Sequence, residues 1–219
     1  MDKVSDNPLK NRQTKAFVAM AALMVTFYLT ANVMAVKLIS ICGVTIFDAG
    51  TIVFPITYML GDVFTEIWGF RTTRKVVWLT FLCQVLFAMF AWLGTALPYP
   101  AGTEAAAEAY AQVFGFVPRI MAASLTAFLA GELTNAWSFE RIKERTQGRR
   151  LWVRTIGSSV AGFVLDTSIF VCIAFWGVVP AKDIMTMTAI QIGAKLAIEA
   201  CASTPMAYLL IRRLKKMCQ

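Results

Sequence analysis

Histidine is absent from the 219 residues. Any proton transfer must therefore use carboxylates or lysine, and a histidine-built site for metal hydrolysis is excluded. Charge is scarce as well. Asp, Glu, Lys and Arg make up 16% of the chain, against about 25% in a soluble protein. There is no glycine-rich phosphate loop, which argues against nucleotide hydrolysis. No Gly-x-Gly-Asp context surrounds the acids, which argues against an intramembrane aspartyl protease. The five cysteines, Cys42, Cys83, Cys172, Cys201 and Cys218, have no metal-ligand spacing. They read as small, buried free thiols. The sequence thus asks for no catalytic residue, metal or cofactor, and an enzyme is disfavoured.

What the chain does have is apolar length. Apolar residues make up 58%, and the mean hydropathy is +0.63. The runs are continuous rather than alternating, which predicts an all-α integral membrane protein. Six spans are expected, at about 16–37, 50–69, 75–97, 118–139, 152–176 and 184–211, in a single domain over 1–219. The first span reads as a retained helix, because no small-residue cleavage site follows it. Residues 98–117 read as a turn and a short surface helix. Of the 21 basic residues, 17 lie in 1–15, 70–75, 140–154 and 212–219. That asymmetry places both termini in the cytoplasm. It also accounts for the net charge of +8 without nucleic acid.

The informative residues are the ionisable ones inside the spans, where a charge costs about 2.5–3.5 kcal/mol on insertion scales. They are Asp62, Glu66, Glu132, Asp166, Lys195 and Glu199. Asp62 and Glu66, in the stretch YMLGDVFTEIWGFRTTRK, are one helical turn apart and share a face. By depth, Asp166 and Lys195 can form an ion pair, and Glu66 can be neutralised by Arg71 or Arg74. Arg119 can anchor at the outer interface or meet Glu104 or Glu108. Tyr58 and Asn32 add polar groups in register, as does Asn135. The third span carries Gln84 and little else, which places it at the lipid-facing edge. One lysine against several acids leaves negative charge over. The surplus acids either hold protons or await a cation or a donor-rich ligand, and a planar heterocycle with adjacent N–H groups suits a carboxylate.

A set of short motifs resembles one family. Ala49-Gly50-Thr51, Phe54-Pro55-Ile56-Thr57-Tyr58, Asp62, Thr65-Glu66, Gly69 and Arg74 are similar to the signature of queuosine-precursor transporters, also called the putative vitamin uptake transporter family. The likeness continues through Asn32, Arg119-Ile120, Ala123-Ser124, Gly162, Asp166-Thr167, Ile173-Ala174-Phe175, Lys195 and Pro205-Met206. The resemblance implies a multi-pass inner-membrane importer of 7-cyano-7-deazaguanine or 7-aminomethyl-7-deazaguanine. Its partners would be the deazapurine and membrane lipid. A substrate site is then expected among Asn32, Tyr58, Asp62, Glu66, Glu132, Asn135, Asp166, Lys195 and Glu199, with Asp62 or Asp166 reading the guanine edge. Lys195, Asn32 or Asn135 would donate to its carbonyl, and Tyr58, Phe54 or Phe170 would stack on it. The alternative is a substrate-binding subunit that docks on a separate ATPase module through the Ala31-x-x-x-Ala35 pair. Oligomeric state and energy source stay open.

Overall fold

The computed structural model describes residues 8–41, 44–115, 118–177 and 180–218. Helix α1 spans Pro8–Met34. A two-stranded antiparallel hairpin follows, β1 Leu38–Ile41 and β2 Val44–Asp48, with a bulge between Ile39 and Ser40. A 3-10 turn, Ala49–Ile52, leads into α2, Phe54–Trp68. Then come α3 Phe70–Ala96, α4 Glu104–Phe114, α5 Pro118–Arg145 and α6 Leu151–Phe175. The last rod is α7 Ala181–Ile198, a π turn Glu199–Ser203, and α8 Thr204–Cys218. Among the described residues, α1, α3, α5, α6 and the α7–α8 rod are long and apolar enough to cross a membrane. Helix α2, with 15 residues, is about 22 Å long at 1.5 Å per residue.

Local chemistry sets the breaks. Gly69 takes φ 78, a conformation that costs a residue with a Cβ. It separates α2 from α3, so Arg71, Arg74 and Lys75 lie on the first turns of α3 and not in a loop. Asp48 caps the 3-10 turn: its side chain accepts from the Thr51 amide at 3.1 Å and from the Thr51 hydroxyl at 3.1 Å. Helix α4 buries none of its residues and rests on α3 through aromatic edges, Phe87 against Phe114 at 6.2 Å.

Helix α3 shows how the bundle meets its surroundings. Leu79, Leu82, Leu86, Phe90 and Leu93 are exposed along one face, at helical spacing. Val77, Thr80, Gln84 and Ala88 are buried along the other. Gln84 therefore points inward, where it accepts a hydrogen bond from Asn32; the helix is lipid-facing on one side only. Trp78, Trp92, Trp137, Trp152 and Trp176 are exposed. Trp68 instead joins an apolar core with Phe17 and Phe64. Cys172 and Cys201 are exposed and Cys83 is half-buried, so those thiols are not core residues. Cys42 lies outside the described residues.

Helices α5 and α6 pack closely at two glycines. A Cβ on Gly131 would meet the Gly162 carbonyl oxygen at 3.2 Å, and one on Gly162 would meet the Gly131 carbonyl oxygen at 3.1 Å. Small residues let membrane helices approach this closely. The side chain of Tyr58, from α2, is lodged against both glycines.

Candidate functional site

Three polar groupings sit inside the bundle. The first lines a cavity of about 40 Å³ between the 3-10 turn, α1, α5, α6 and α7. At its wall Lys195 Nζ lies 2.6 Å from Asp166 Oδ2, an ion pair with both side chains buried. Thr167 Oγ1 accepts a second bond from the ammonium at 3.1 Å. The rings of Phe54 and Phe163 flank it at 5.0 and 5.8 Å from Nζ. These contacts fix the lysine and leave the other Asp166 oxygen outside the pair.

Asn32 also lines the cavity. Its amide nitrogen donates to Gln84, and its oxygen accepts from Ser124 at 3.0 Å. Asp48, Thr51, Phe54, Phe170 and Gln191 complete the polar and aromatic wall. Asp48 was not foreseen as a wall residue. Its signal was local, an acid just before Ala49-Gly50-Thr51, which is the pattern of a helix cap. Gly50 presses directly on α1, where an added Cβ would collide with the Ala31 carbonyl and the Ala35 methyl. The Ala31–Ala35 pair thus packs inside the chain.

The second grouping lies deeper among α2, α5, α6 and the π turn. Asp62 Oδ1 accepts from Asn135 Nδ2 at 2.9 Å and from Ser158 Oγ at 3.5 Å. Glu132 and Glu199 are wholly buried; the Glu132 oxygens have no hydrogen-bond partner among the described residues, while Ser159, Ser203 and Thr204 stand within hydrogen-bonding reach of Glu199. Glu132 packs on Gly61, where a Cβ would stand 2.8 Å from Oε2. Tyr58 joins this grouping, its ring 4.5 Å from Phe163.

The third grouping is a cage of cations around Glu66. Lys215 Nζ lies 2.5 Å from Oε1, while Lys143 Nζ and Arg154 Nη2 lie 3.1 and 3.3 Å from Oε2. Lys143 also donates to the Glu66 carbonyl at 3.1 Å. The expected partners, Arg71 and Arg74, are not the ones used: α3 carries them beyond Gly69, and α5, α6 and α8 bring their own cations to the carboxylate. Arg154 further stacks on Phe139. Arg119 donates to the Ile173 and Trp176 carbonyls at the end of α6 and so satisfies helix-terminal acceptors.

Of the nine residues expected at one site, the structure brings Asn32, Asp166 and Lys195 to the cavity wall. Tyr58, Asp62, Glu132, Asn135 and Glu199 form the cluster behind it. Glu66 stands apart in its cage.

A family model described as "Putative vitamin uptake transporter" matches residues 48–210. The "Probable queuosine precursor transporter" of Bacillus subtilis is 32% identical over 152 residues, covering 69% of this chain and 66% of that protein. The "Queuosine precursor transporter" of Escherichia coli is 28% identical over 135 residues, covering 58% of this chain and 54% of that one. The "Probable queuosine precursor transporter" of Haemophilus influenzae is 27% identical over 135 residues, covering 58% and 51%. The matched stretch thus spans one half to two thirds of these relatives' lengths. No solved structure gives a significant match.

Proposed function

The chain belongs to the putative vitamin uptake transporter family, and on that premise we propose that it imports a queuosine precursor, 7-cyano-7-deazaguanine or 7-aminomethyl-7-deazaguanine. In this reading it is one six-span domain of the bacterial inner membrane, with both termini in the cytoplasm. The observation that carries the reading is the buried Asp166–Lys195 pair on the wall of a cavity between membrane helices.

The chemistry of recognition follows from that pair. A deazaguanine presents N1–H and an exocyclic amine side by side, and a carboxylate accepts both. Of the two acids at the cavity, Asp48 is held by Thr51 as a cap, so Asp166 reads this edge. Lys195, released from Asp166, donates to the base carbonyl. Phe54 and Phe170 cover the faces of the ring. A cavity of about 40 Å³ is far below the roughly 300 Å³ at the low end for ligand pockets. Binding must therefore widen it, and separating Lys195 from Asp166 is the step that does so. The exchange replaces one buried charge–charge contact by two ligand contacts, so neither charge is left bare. Asp62 is tied to Asn135 behind this wall and is the weaker candidate for the guanine edge.

A subunit that docks on a separate ATPase module is the competing reading. Its proposed docking pair, Ala31 and Ala35, is engaged with Gly50, which favours a stand-alone carrier. The test is uptake in cells that can neither make the precursor nor import it. Expression of this chain alone should restore queuosine in tRNA. Good expression with no queuosine would overturn the proposal.

A further inference from the structure

The cavity leaves a group of acids unused. Asp62 on α2, Glu132 on α5 and Glu199 at the π turn are fully buried. Asp62 is within electrostatic reach of Glu199 and Glu132, and Glu132 is within reach of Glu199 and Asp166. Among the described residues, the buried cations are engaged elsewhere, Lys195 with Asp166 and Arg154 with Glu66. Asp62 Oδ1 accepts from Asn135 and Ser158, and Ser159, Ser203 and Thr204 stand within hydrogen-bonding reach of Glu199. Among the described residues, Asp62 Oδ2 and both Glu132 oxygens have no partner.

An unpaired hydroxyl stands among the acids. The hydroxyl of Tyr58 is fully buried and without a partner among the described residues. Ser159 and Ser203 stand beside Glu199. The Tyr58 hydroxyl is pressed against Gly131, next in sequence to Glu132. A purely structural polar cluster satisfies its members, and this one leaves Asp62 Oδ2, both Glu132 oxygens and the Tyr58 hydroxyl unsatisfied. Glu199 also opens a π turn, a local widening that is frequent at functional sites.

We propose that Asp62, Glu132 and Glu199 form a proton-binding site, separate from the base cavity, that couples import to proton movement. The inference rests on the transport reading above. Unpaired buried carboxylates are costly as ions and far less so as neutral acids. Acids in this situation carry protons in pumps and transporters. A proton is the cation such acids take up directly; among the described residues no group of three or more acids or thiols is arranged to hold a metal ion. The step balances without bond changes in the base. A carboxylate takes one proton from the outer side and returns it to water on the inner side.

The groups facing the site from neighbouring elements are Tyr28 on α1, Tyr58 on α2 and Asp166 on α6, with Lys195 of α7 behind Asp166. Asp166 supplies the coupling. When a base separates it from Lys195, the charge that Glu132 faces changes, and the proton responds.

The full chain, reconstituted in vesicles loaded with a pH-sensitive dye, tests this directly. Labelled 7-cyano-7-deazaguanine is supplied outside in acid buffer. With one proton per base, a gradient of about one pH unit supports about tenfold accumulation, and the lumen acidifies with the base. Glu132→Gln and Glu199→Gln, each checked by melting temperature, should bring the base no higher than its outside level. Wild-type uptake that equilibrates without proton movement overturns the proton site and leaves the transport reading intact. Variants that still concentrate the base overturn it too. Vesicles that take up no base overturn the transport reading instead. Infrared titration of the ligand-free protein then reads the site alone. Wild type should show a buried carboxylic-acid band that both variants diminish. A spectrum without that band overturns the proton site.

Discussion

Lys195 and Asp166 hold each other 2.6 Å apart in a nearly dry setting, and that makes their single mutants worse than their double mutant. Lys195→Ala strands a buried carboxylate, a loss of about 3–5 kcal/mol. Removing both charges with Asp166→Ala should recover much of the melting temperature while uptake stays lost. Equal melting of the single and double mutants would mean the pair is not coupled. Tyr58 gives a second residue-level test. Gly131 and Gly162 make its berth, and a Cβ at either meets the tyrosine. Gly131→Val or Gly162→Val should cost about 1–3 kcal/mol by overpacking, read as a fall in melting temperature. The Asp166–Lys195 pair was legible in the sequence, because both residues sit at matching depth in apolar helices and each needs a partner. The division of the remaining acids was not. Depth alone placed Asp62 and Glu132 near each other, but which side of a helix faces a cavity depends on how its neighbours pack.

At the scale of elements, Glu66 ties α2 to α5, α6 and α8 at one end of the bundle. Its partners are 77 and 149 residues away for Lys143 and Lys215, so short-range reading favoured Arg71 and Arg74. Glycine decided against them: Gly69 ends α2 and redirects the chain before either arginine. Glu66→Gln should leave the buried Arg154 without its counter-ion and loosen the ends of three helices. Hydrogen exchange should rise at 143–154 and 212–216, while Arg71→Ala and Arg74→Ala leave it unchanged. No rise in the Glu66 variant would show that the cage is not a clasp. The hairpin over Leu38–Asp48 was missed as well. Its signal was present, with β-branched residues on both sides of Gly43, but it was overshadowed by the long apolar spans on either side.

For the whole molecule, length and hydropathy were enough to read an α-helical membrane protein, because a bilayer core dictates how much apolar helix each crossing requires. They did not show that the last rod is interrupted by a π turn, which is a hydrogen-bond shift with no compositional mark. Nor did they show that the polar residues divide into a cavity wall, a buried acid cluster and a cationic cage. That division leaves Asp166 and Lys195 as the ion pair at the cavity, where the proposed import reading has them receive the base. Equilibrium binding of labelled 7-cyano-7-deazaguanine to the purified chain, with Asp166→Asn and Lys195→Ala beside it, tests the claim most directly. A hydrogen bond to a charged group is worth about 1.5–3 kcal/mol, so wild type should bind saturably and each variant about ten- to hundredfold more weakly. Variants that fold and bind the base as tightly as wild type would contradict it.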